Sequence, residues 1–233
     1  MKLISFDVGI KNLSFCCLEY TNDKYHIYDW GIINISCDEC CDHIIKGGKK
    51  CENSASVITQ MGKKICNTHK KNKEYKDFKL KKIPKINNPT LHIGDNIVKR
   101  LSEHTFLDVN DVIIENQPAL KNPTMKTVQM LLYSYFLING YCDEDSNIGN
   151  IEMINARNKL KAYSGPKIES PYPKEKKNVY KTNKYLAIEY CKHMITCEDN
   201  SFQELFNNSK KKDDLSDSFL QGVYWILKKN KVL

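Results

Sequence analysis

Four acidic side chains stand at the ends of three apolar segments, and they are the residues best placed to do chemistry. Asp7 closes LISFD, Glu115 closes VIIE, and Asp214 and Asp217 lie in KKDDLSDSFL. Each segment reads as a buried element that delivers a carboxylate where burial is costly, because a charge out of water neutralises or finds a counter-ion. Four carboxylates converging without matched basic partners would repel one another, and a divalent cation removes that repulsion. The expected site is therefore a carboxylate-bound metal centre. Oxygen-only donors suit Mg²⁺ or Mn²⁺, hard cations that keep several waters. Taken singly, each acid has a plainer role: Asp7 can open a turn, Glu115 can end a strand, and the helical pair can complement a helix dipole. Their conjunction carries the metal reading.

A second constellation is rich in sulfur. Of ten cysteines, Cys37, Cys40, Cys41, Cys51 and Cys66 fall within 30 residues, while Cys16 and Cys17 sit in a strand-like segment and Cys142, Cys191 and Cys197 are scattered. Such a grouping points to metal rather than to a disulfide framework. Cys37-x2-Cys40, then Cys51, then Cys66-x2-His69 has the ligand types and spacings of a structural Zn²⁺ site. Cys51, Cys66 and His69 are the expected ligands with Cys40 as the fourth; Cys37 and Cys41 are alternates, and His43 is a further option. Lys49, Lys50, Lys63 and Lys64 flank the cluster and favour thiolate over thiol. Free buried thiols fit less well, because so polar a stretch has little core of its own.

The elements that must hold these groups can be read from periodicity. LISFDVG alternates, with Leu3, Ser5 and Asp7 on one face and Ile4, Phe6 and Val8 on the other. LSFCCLEY and YHIYDWGIINI follow as strands, giving an antiparallel meander joined by short polar turns. Residues 37–69 form the Cys-rich insertion and residues 70–88 a lysine-rich linker or nucleic-acid-facing arm. Ile93, Ile97, Val98 and Leu101 have helical spacing, DVIIEN is a buried strand, and NPTMKTVQMLLYSYFLI is a long helix with Pro123 in its first turn. IEMINA is a fifth strand, residues 157–177 a flexible basic loop, and helices are expected at 179–195, 201–207 and 213–229. This order gives an α/β fold: a ribonuclease H-like, mixed five-stranded sheet flanked by helices, with a small zinc-binding insertion. A parallel centre accounts for the continuous apolarity of VIIE. Asp214 and Asp217, three apart, share one helix face.

FDVGIKNLSFC, then IIENQP with NPTMKTVQMLLYSYF, then DDLSDSF resemble the RuvC-type Holliday junction resolvases, most nearly the branch of poxvirus, other large DNA virus and fungal mitochondrial enzymes. The three blocks come in the family's order and span most of the chain, so residues 1–233 are expected to form a single resolvase domain around the insertion. The resemblance implies that Asp7, Glu115, Asp214 and Asp217 are the ligands of two Mg²⁺ (or Mn²⁺) ions. Asp213 competes with Asp214, which the family's D-x-x-D pairing with Asp217 favours. Two such ions about 4 Å apart activate water and neutralise the leaving oxygen of a phosphodiester. The implied reaction is paired hydrolysis of a four-way DNA junction by a homodimer, leaving 5′-phosphate and 3′-hydroxyl ends. The apolar helix 124–138, with Met125, Val128, Met130, Leu131, Leu132, Tyr135 and Phe136, would serve as core and as dimer interface. Within KEKKNVYKTNK, Lys177, Lys181 and Lys184 are the candidate DNA contacts, Lys181 first by its spacing to the family's blocks. A source in a large eukaryotic DNA virus is implied by resemblance alone.

Size and charge agree with that reading. At 233 residues the chain can hold one ordinary domain plus an insertion. No run approaches the roughly 18 apolar residues of a membrane span, and Met1 leads straight into a strand, so a soluble intracellular protein is expected, in the cytoplasm or nucleus of an infected cell and not secreted. A net charge of +8 beside an acidic cluster favours a polyanionic partner. Two other nucleic-acid readings remain: a ribonuclease H-like nuclease for RNA–DNA hybrids or flaps, and a non-catalytic zinc-bearing binder. An actin-like ATPase would need a second D-x-G hairpin far downstream, and Asp29-Trp30-Gly31 lies within the same meander.

Overall fold

The computed structural model describes residues 1–36, 39–51, 53–84, 89–120, 122–173 and 175–231. In chain order, β1 (Lys2–Val8), β2 (Asn12–Thr21) and β3 (Lys24–Asn34) are followed by β4 (Ala55–Ile58), β5 (Lys64–Cys66) and β6 (Lys81–Lys82). Then come α1 (Pro89–Ser102), β7 (Asp111–Glu115), α2 (Pro123–Phe136), β8 (Asn150–Ile154), α3 (Val179–Met194), α4 (Asn200–Asn208) and α5 (Lys212–Lys229). The chain divides into two compact units, one of residues 1–35 with 94–233 and one of residues 36–93.

The larger unit is built on a five-stranded sheet of order β3-β2-β1-β7-β8. The β1–β2 and β2–β3 pairs are antiparallel, as the meander predicts, and β1–β7 and β7–β8 are parallel. In the parallel register Ser5 faces Ile113 and Phe6 faces Ile114. One residue further along each strand come Asp7, next to last in β1, and Glu115, last in β7, so pairing alone brings these carboxylates to one edge of the sheet.

Alternation along β1 then decides which layer each side chain meets. Phe6 points to the layer of α1 and α2, where its ring lies 5.5 Å from Phe136 and 5.9 Å from Phe106. Leu3, Ser5 and Asp7 point the other way, toward α5. That helix is held in register by polar bonds across a buried interface. Ser218 Oγ lies 3.0 Å from Ser14 Oγ, Gln221 Nε2 donates to Ser5 Oγ and to the Phe6 carbonyl at 3.1 Å each, and Trp30 Nε1 donates to the Leu215 carbonyl at 3.2 Å. Gly222 permits the close approach, since a Cβ there would stand 2.8 Å from Leu18 and 3.1 Å from Ser5. With Ser218 opposite Ser14, and Ser14 paired with Asp7, the preceding turn of α5 is carried to the same sheet edge as Asp7 and Glu115.

Expected and observed elements agree closely in this unit, with two differences. The stretch after β8, read as the start of a flexible loop, opens with a 3₁₀ helix, Ala156–Ala162, whose Ala162 is buried and whose Leu160 packs on the core beneath α5. The long apolar helix also extends past α2 into a π-helical turn, Leu137–Tyr141. No helix among the described residues is long and apolar enough to cross a membrane.

Glu198 is a buried charge outside the carboxylate cluster, with 3% of its side chain exposed. The Ile27 amide donates to its Oε2 at 3.0 Å, while Oε1 has no partner among the described residues. Burial pushes its pKa up, and the Ile27 amide and His26 only partly oppose this. A carboxyl whose folded-state pKa lies above its unfolded value contributes stability below about pH 4, and that contribution is lost as pH rises through the folded pKa. Glu198→Gln is therefore expected to raise the melting temperature by a few degrees at about pH 7.5, on the order of 1 kcal/mol. The gain should vanish near pH 4; melting curves that coincide at both pH values would refute the strain.

The smaller unit holds a three-stranded antiparallel sheet of order β5-β4-β6, absent from the sequence reading. Residues expected to be a linker belong to it: Tyr75 is buried, Phe78 and Leu80 pack against the same cluster, and Lys81 and Lys82 pair with β4. Within the larger unit, the chain on either side of the insertion is tied together by Asn96 Nδ2 donating to the Ile35 carbonyl at 3.4 Å.

Candidate active site

The sheet edge opens into a cavity of about 780 Å³ lined by Asp7, Glu115, Asp213, Asp214 and Asp217. The tight turn after β1 forms one wall. There the Gly9 amide donates to the Asn12 carbonyl at 3.0 Å, and a Cβ at position 9 would stand 2.6 Å from that oxygen, so glycine is needed.

Asp7, Glu115 and Asp217 form the inner group. Burial holds the Asp7 carboxyl well above the usual carboxylate range, reinforced by the negative charges of Glu115 and Asp217 and by a hydrogen bond with Glu115. Asp217 is pushed up to about 6, first by burial, with Lys159 opposing and Glu115 and Asp213 adding to the shift. Asp213 and Asp214 sit half-buried at the first turn of α5. Lys184 Nζ reaches Asp213 at 2.6 Å and Lys211 Nζ reaches Asp214 at 3.1 Å. The two aspartates thus occupy neighbouring positions in one cleft, and the negative charge of Asp213 adds to the upward shift of Asp217.

Gln117 orients Glu115: its Nε2 donates to Glu115 Oε2 and, at 3.4 Å, to the Val8 carbonyl. Gln129 Oε1 in turn accepts from the Gln117 amide at 2.8 Å, which ties this support to α2. Lys159, on the 3₁₀ helix after β8, projects into the carboxylates and is ion-paired with Asp217. Its ammonium is held above its ordinary pKa by Asp217, Asp7 and Glu115 in spite of burial, which acts the other way. Neither Gln117 nor Lys159 was singled out from sequence. Leu160 and Ala162 alternating around Lys161 were the available sign that this segment is anchored.

Of the lysines proposed as DNA contacts, Lys184 lines the cleft. Lys177 is exposed and pairs with Glu175 at 2.8 Å, and Lys181 is exposed on α3; neither lines the cleft. Lys174 lies outside the described residues.

The donor set fits a hard divalent cation. It offers carboxylate oxygens only, from three elements, and burial with neighbouring negative charge raises the pKa of Asp7 and Asp217 even though Lys159, Lys184 and Lys211 are paired to the group, which is a situation a cation relieves.

The sulfur cluster of the smaller unit is a separate centre. Cys41, Cys51, Cys66 and His69 present ligand atoms that all lie within 4.8 Å of one another. Here the structure corrects the expected fourth ligand: Cys41 joins the set, whereas Cys40 is exposed. The reason is local pairing. The Cys41 amide donates to the Asn53 carbonyl and the Asp42 amide to the Lys64 carbonyl, so the chain around Cys41 is laid against both neighbours. Cys37 lies outside the described residues. Cys41 Sγ and Cys66 Sγ are each 3.5 Å from His69 Nδ1, close to the roughly 3.4–3.8 Å between neighbouring ligands around tetrahedral zinc. Burial opposes the Cys66 thiolate, but the His69 and Thr68 amides donate to its sulfur and bring its pKa below the usual thiol value. His43 is outside the ligand set; its ring packs at a tilt against His69 with centroids 4.0 Å apart and hydrogen-bonds Tyr75 at 3.0 Å.

No family model matches the chain. Its fold is similar to that of the Fowlpox virus resolvase, solved in complex with its substrate Holliday junction DNA, with a TM-score of 0.52 and 15% identity over 98% of this chain and 99% of that one. A second structure, of the Fowlpox virus Holliday junction resolvase, gives 0.50 and 14% over the same shares. The chain thus has the fold of the Fowlpox virus resolvase, a mixed five-stranded sheet flanked by helices, as the three sequence blocks lead one to expect. In sequence, the chain is 30% identical to the uncharacterized protein L451 of Acanthamoeba polyphaga mimivirus in an alignment of 312 residues, covering 97% of this chain and 74% of that protein. It belongs to the family of that mimivirus protein.

Proposed function

We propose that the chain is a metal-dependent endonuclease that resolves four-way DNA junctions. The observation that carries this reading is the convergence of Asp7, Glu115 and Asp217, with Asp214 and Asp213 beside them, in one cleft at the edge of a sheet with the Fowlpox virus resolvase fold. Asp7, Glu115, Asp214 and Asp217 would hold Mg²⁺ or Mn²⁺, with Asp213 as the alternate to Asp214. Bound there, the cation supplies Lewis-acid activation of the scissile phosphate and of attacking water.

The chain's own residues do the rest. Gln117 holds the Glu115 carboxylate in place at the cleft wall. Lys159 offers a positive charge inside the carboxylate group, where it can pair with a phosphate oxygen as negative charge develops in the transition state. Lys184 and Lys211, at the mouth, draw the strand in and fix its backbone. Half-exposed Met130 and exposed Ile138, on the outer side of α2 and the turn after it, favour a homodimer through this helix. A two-fold dimer matches two active sites to two opposed strands.

One comparison tests the reading. In Mg²⁺ the purified protein should cut labelled four-way junctions at least about tenfold faster than RNA–DNA hybrids or flaps, a difference of roughly 1.4 kcal/mol in the barrier. A plasmid cruciform should yield linear product directly, since paired incision within one dimer leaves little nicked circle. Faster cutting of hybrids would transfer the assignment to a ribonuclease H-like enzyme. Accumulation of nicked circle would remove the dimer, and no metal-dependent nicking of any substrate would leave a zinc-bearing binder.

A further inference from the structure

The positive charge of this chain is concentrated in one place. Residues 36–93 hold 13 lysines against 6 acidic residues, a net +7, whereas the remaining 175 residues hold 23 basic and 22 acidic ones. The unit that bears the carboxylate cleft is therefore almost neutral, and the unit that bears the sulfur cluster is a strong cation.

These lysines are displayed on a fixed frame. Buried Tyr75, with Phe78 and Leu80 packed beside it, pins residues 70–82 to the cysteine cluster. Lys71, Lys73, Lys76 and Lys79 alternate with those anchors and are exposed. Lys81 and Lys82 are exposed too, and are held by pairing with Ile58 and Val57. Among the described residues none of these six is in an ion pair, whereas Lys50 and Lys64 are matched to Asp42 and Glu39. A flexible lysine run loses entropy on binding, but lysines on pinned backbone lose less. Regularly presented, unmatched ammonium groups suit a polymer of regularly spaced anions.

We infer that the zinc-type unit is a second nucleic-acid contact, which holds the phosphate backbone of duplex DNA through Lys71, Lys73, Lys76, Lys79 and the β6 lysines. Choosing DNA over other polyanions rests on the nuclease reading of the cleft. The unit reads no sequence; it adds electrostatic affinity that the near-neutral catalytic unit lacks.

The test measures binding of the full-length protein to a labelled linear duplex over a salt series, without added Mg²⁺, so that no cleavage enters. The quadruple variant Lys71→Ala, Lys73→Ala, Lys76→Ala, Lys79→Ala is compared with Lys24→Ala, Lys192→Ala, Lys210→Ala, Lys231→Ala, which removes equal charge from exposed sites of the larger unit. Zinc content and protease resistance report that the smaller unit stays folded. The first variant should lose about 10- to 100-fold in affinity at about 0.1 M salt, and its log–log salt slope should shrink by about 2 to 4. The second should stay within about threefold of wild type. Equal losses in both variants, an unchanged slope in the first, or tighter retention on phosphatidylserine vesicles than on duplex would overturn the inference. A protein that binds in this way yet cuts nothing would fail the nuclease reading alone.

Discussion

Asp7→Asn and Glu115→Gln are each expected to lower junction cleavage at least about 10³-fold, roughly 4 kcal/mol of transition-state stabilisation, while leaving junction binding within a few-fold of wild type. Each replacement keeps the shape of the side chain and removes the charge that a cation needs. The fold should survive, because neither carboxylate braces the sheet: β1 and β7 are held by their ladders and α5 by Ser218 and Gln221. Stability should even rise. In Asp7 the replacement removes a buried negative charge from beside Glu115 and Asp217, so the variant without added Mg²⁺ should melt later, by an amount on the order of 1–3 kcal/mol. Loss of activity with gain of stability is the signature of a site built to hold a cation. Substantial cutting by either purified variant in Mg²⁺, or a loss of stability matching the loss of activity, would falsify the assignment.

Removal of metal from the sulfur cluster is expected to unfold residues 36–93. Among the described residues their buried hydrophobic core is Cys41, Cys51, Val57, Ile65, Cys66 and Tyr75, half of it ligand. A core that small cannot outweigh the entropy of ordering its chain, and apparent zinc-binding energies of about 10–16 kcal/mol become folding energy in such units. One zinc per chain should be released by Cys66→Ser or by a strong chelator. Trypsin should then cut within the lysines of 70–82, while the larger unit keeps its own melting transition. Protein purified without chelator that contains no zinc, or a digestion pattern indifferent to chelation, would rule out the centre.

What could be read from the chain follows from how far each feature reaches. The order of the larger sheet was legible because β1, β2, β3 and β7 carry strong period-two or continuous apolar patterns. Strand ends inherited their acids from the same segments, so Asp7 and Glu115 could be placed together before any contact was known. Lys159 could not, because its role depends on a 3₁₀ turn packing under α5, and one lysine among many bears no mark of burial. Gln117 was hidden likewise: its partners, Glu115 and the Val8 carbonyl, meet only when β1 and β7 pair. Cys41 and Cys40 are adjacent, and spacing alone favoured the Cys-x2-Cys pattern over the side-chain direction that backbone pairing imposes. The sheet of the smaller unit escaped because strands of two to four residues leave no periodic trace. Its 70–82 segment looked like a solvated run, since three anchors, Tyr75, Phe78 and Leu80, are thinly spread among lysines.

The bond between Asn96 and the Ile35 carbonyl has a bearing on how such a protein can change over generations. Where the end of the departing chain after β3 is already fastened to the helix that returns, lengthening the detour adds only slowly to the entropy of closure, by about 0.6 kcal/mol per doubling. The host sheet is therefore nearly indifferent to what is spliced in at this doorway, and lineages are free to enlarge, trade or discard the module there while the spacing of the acids stays untouched.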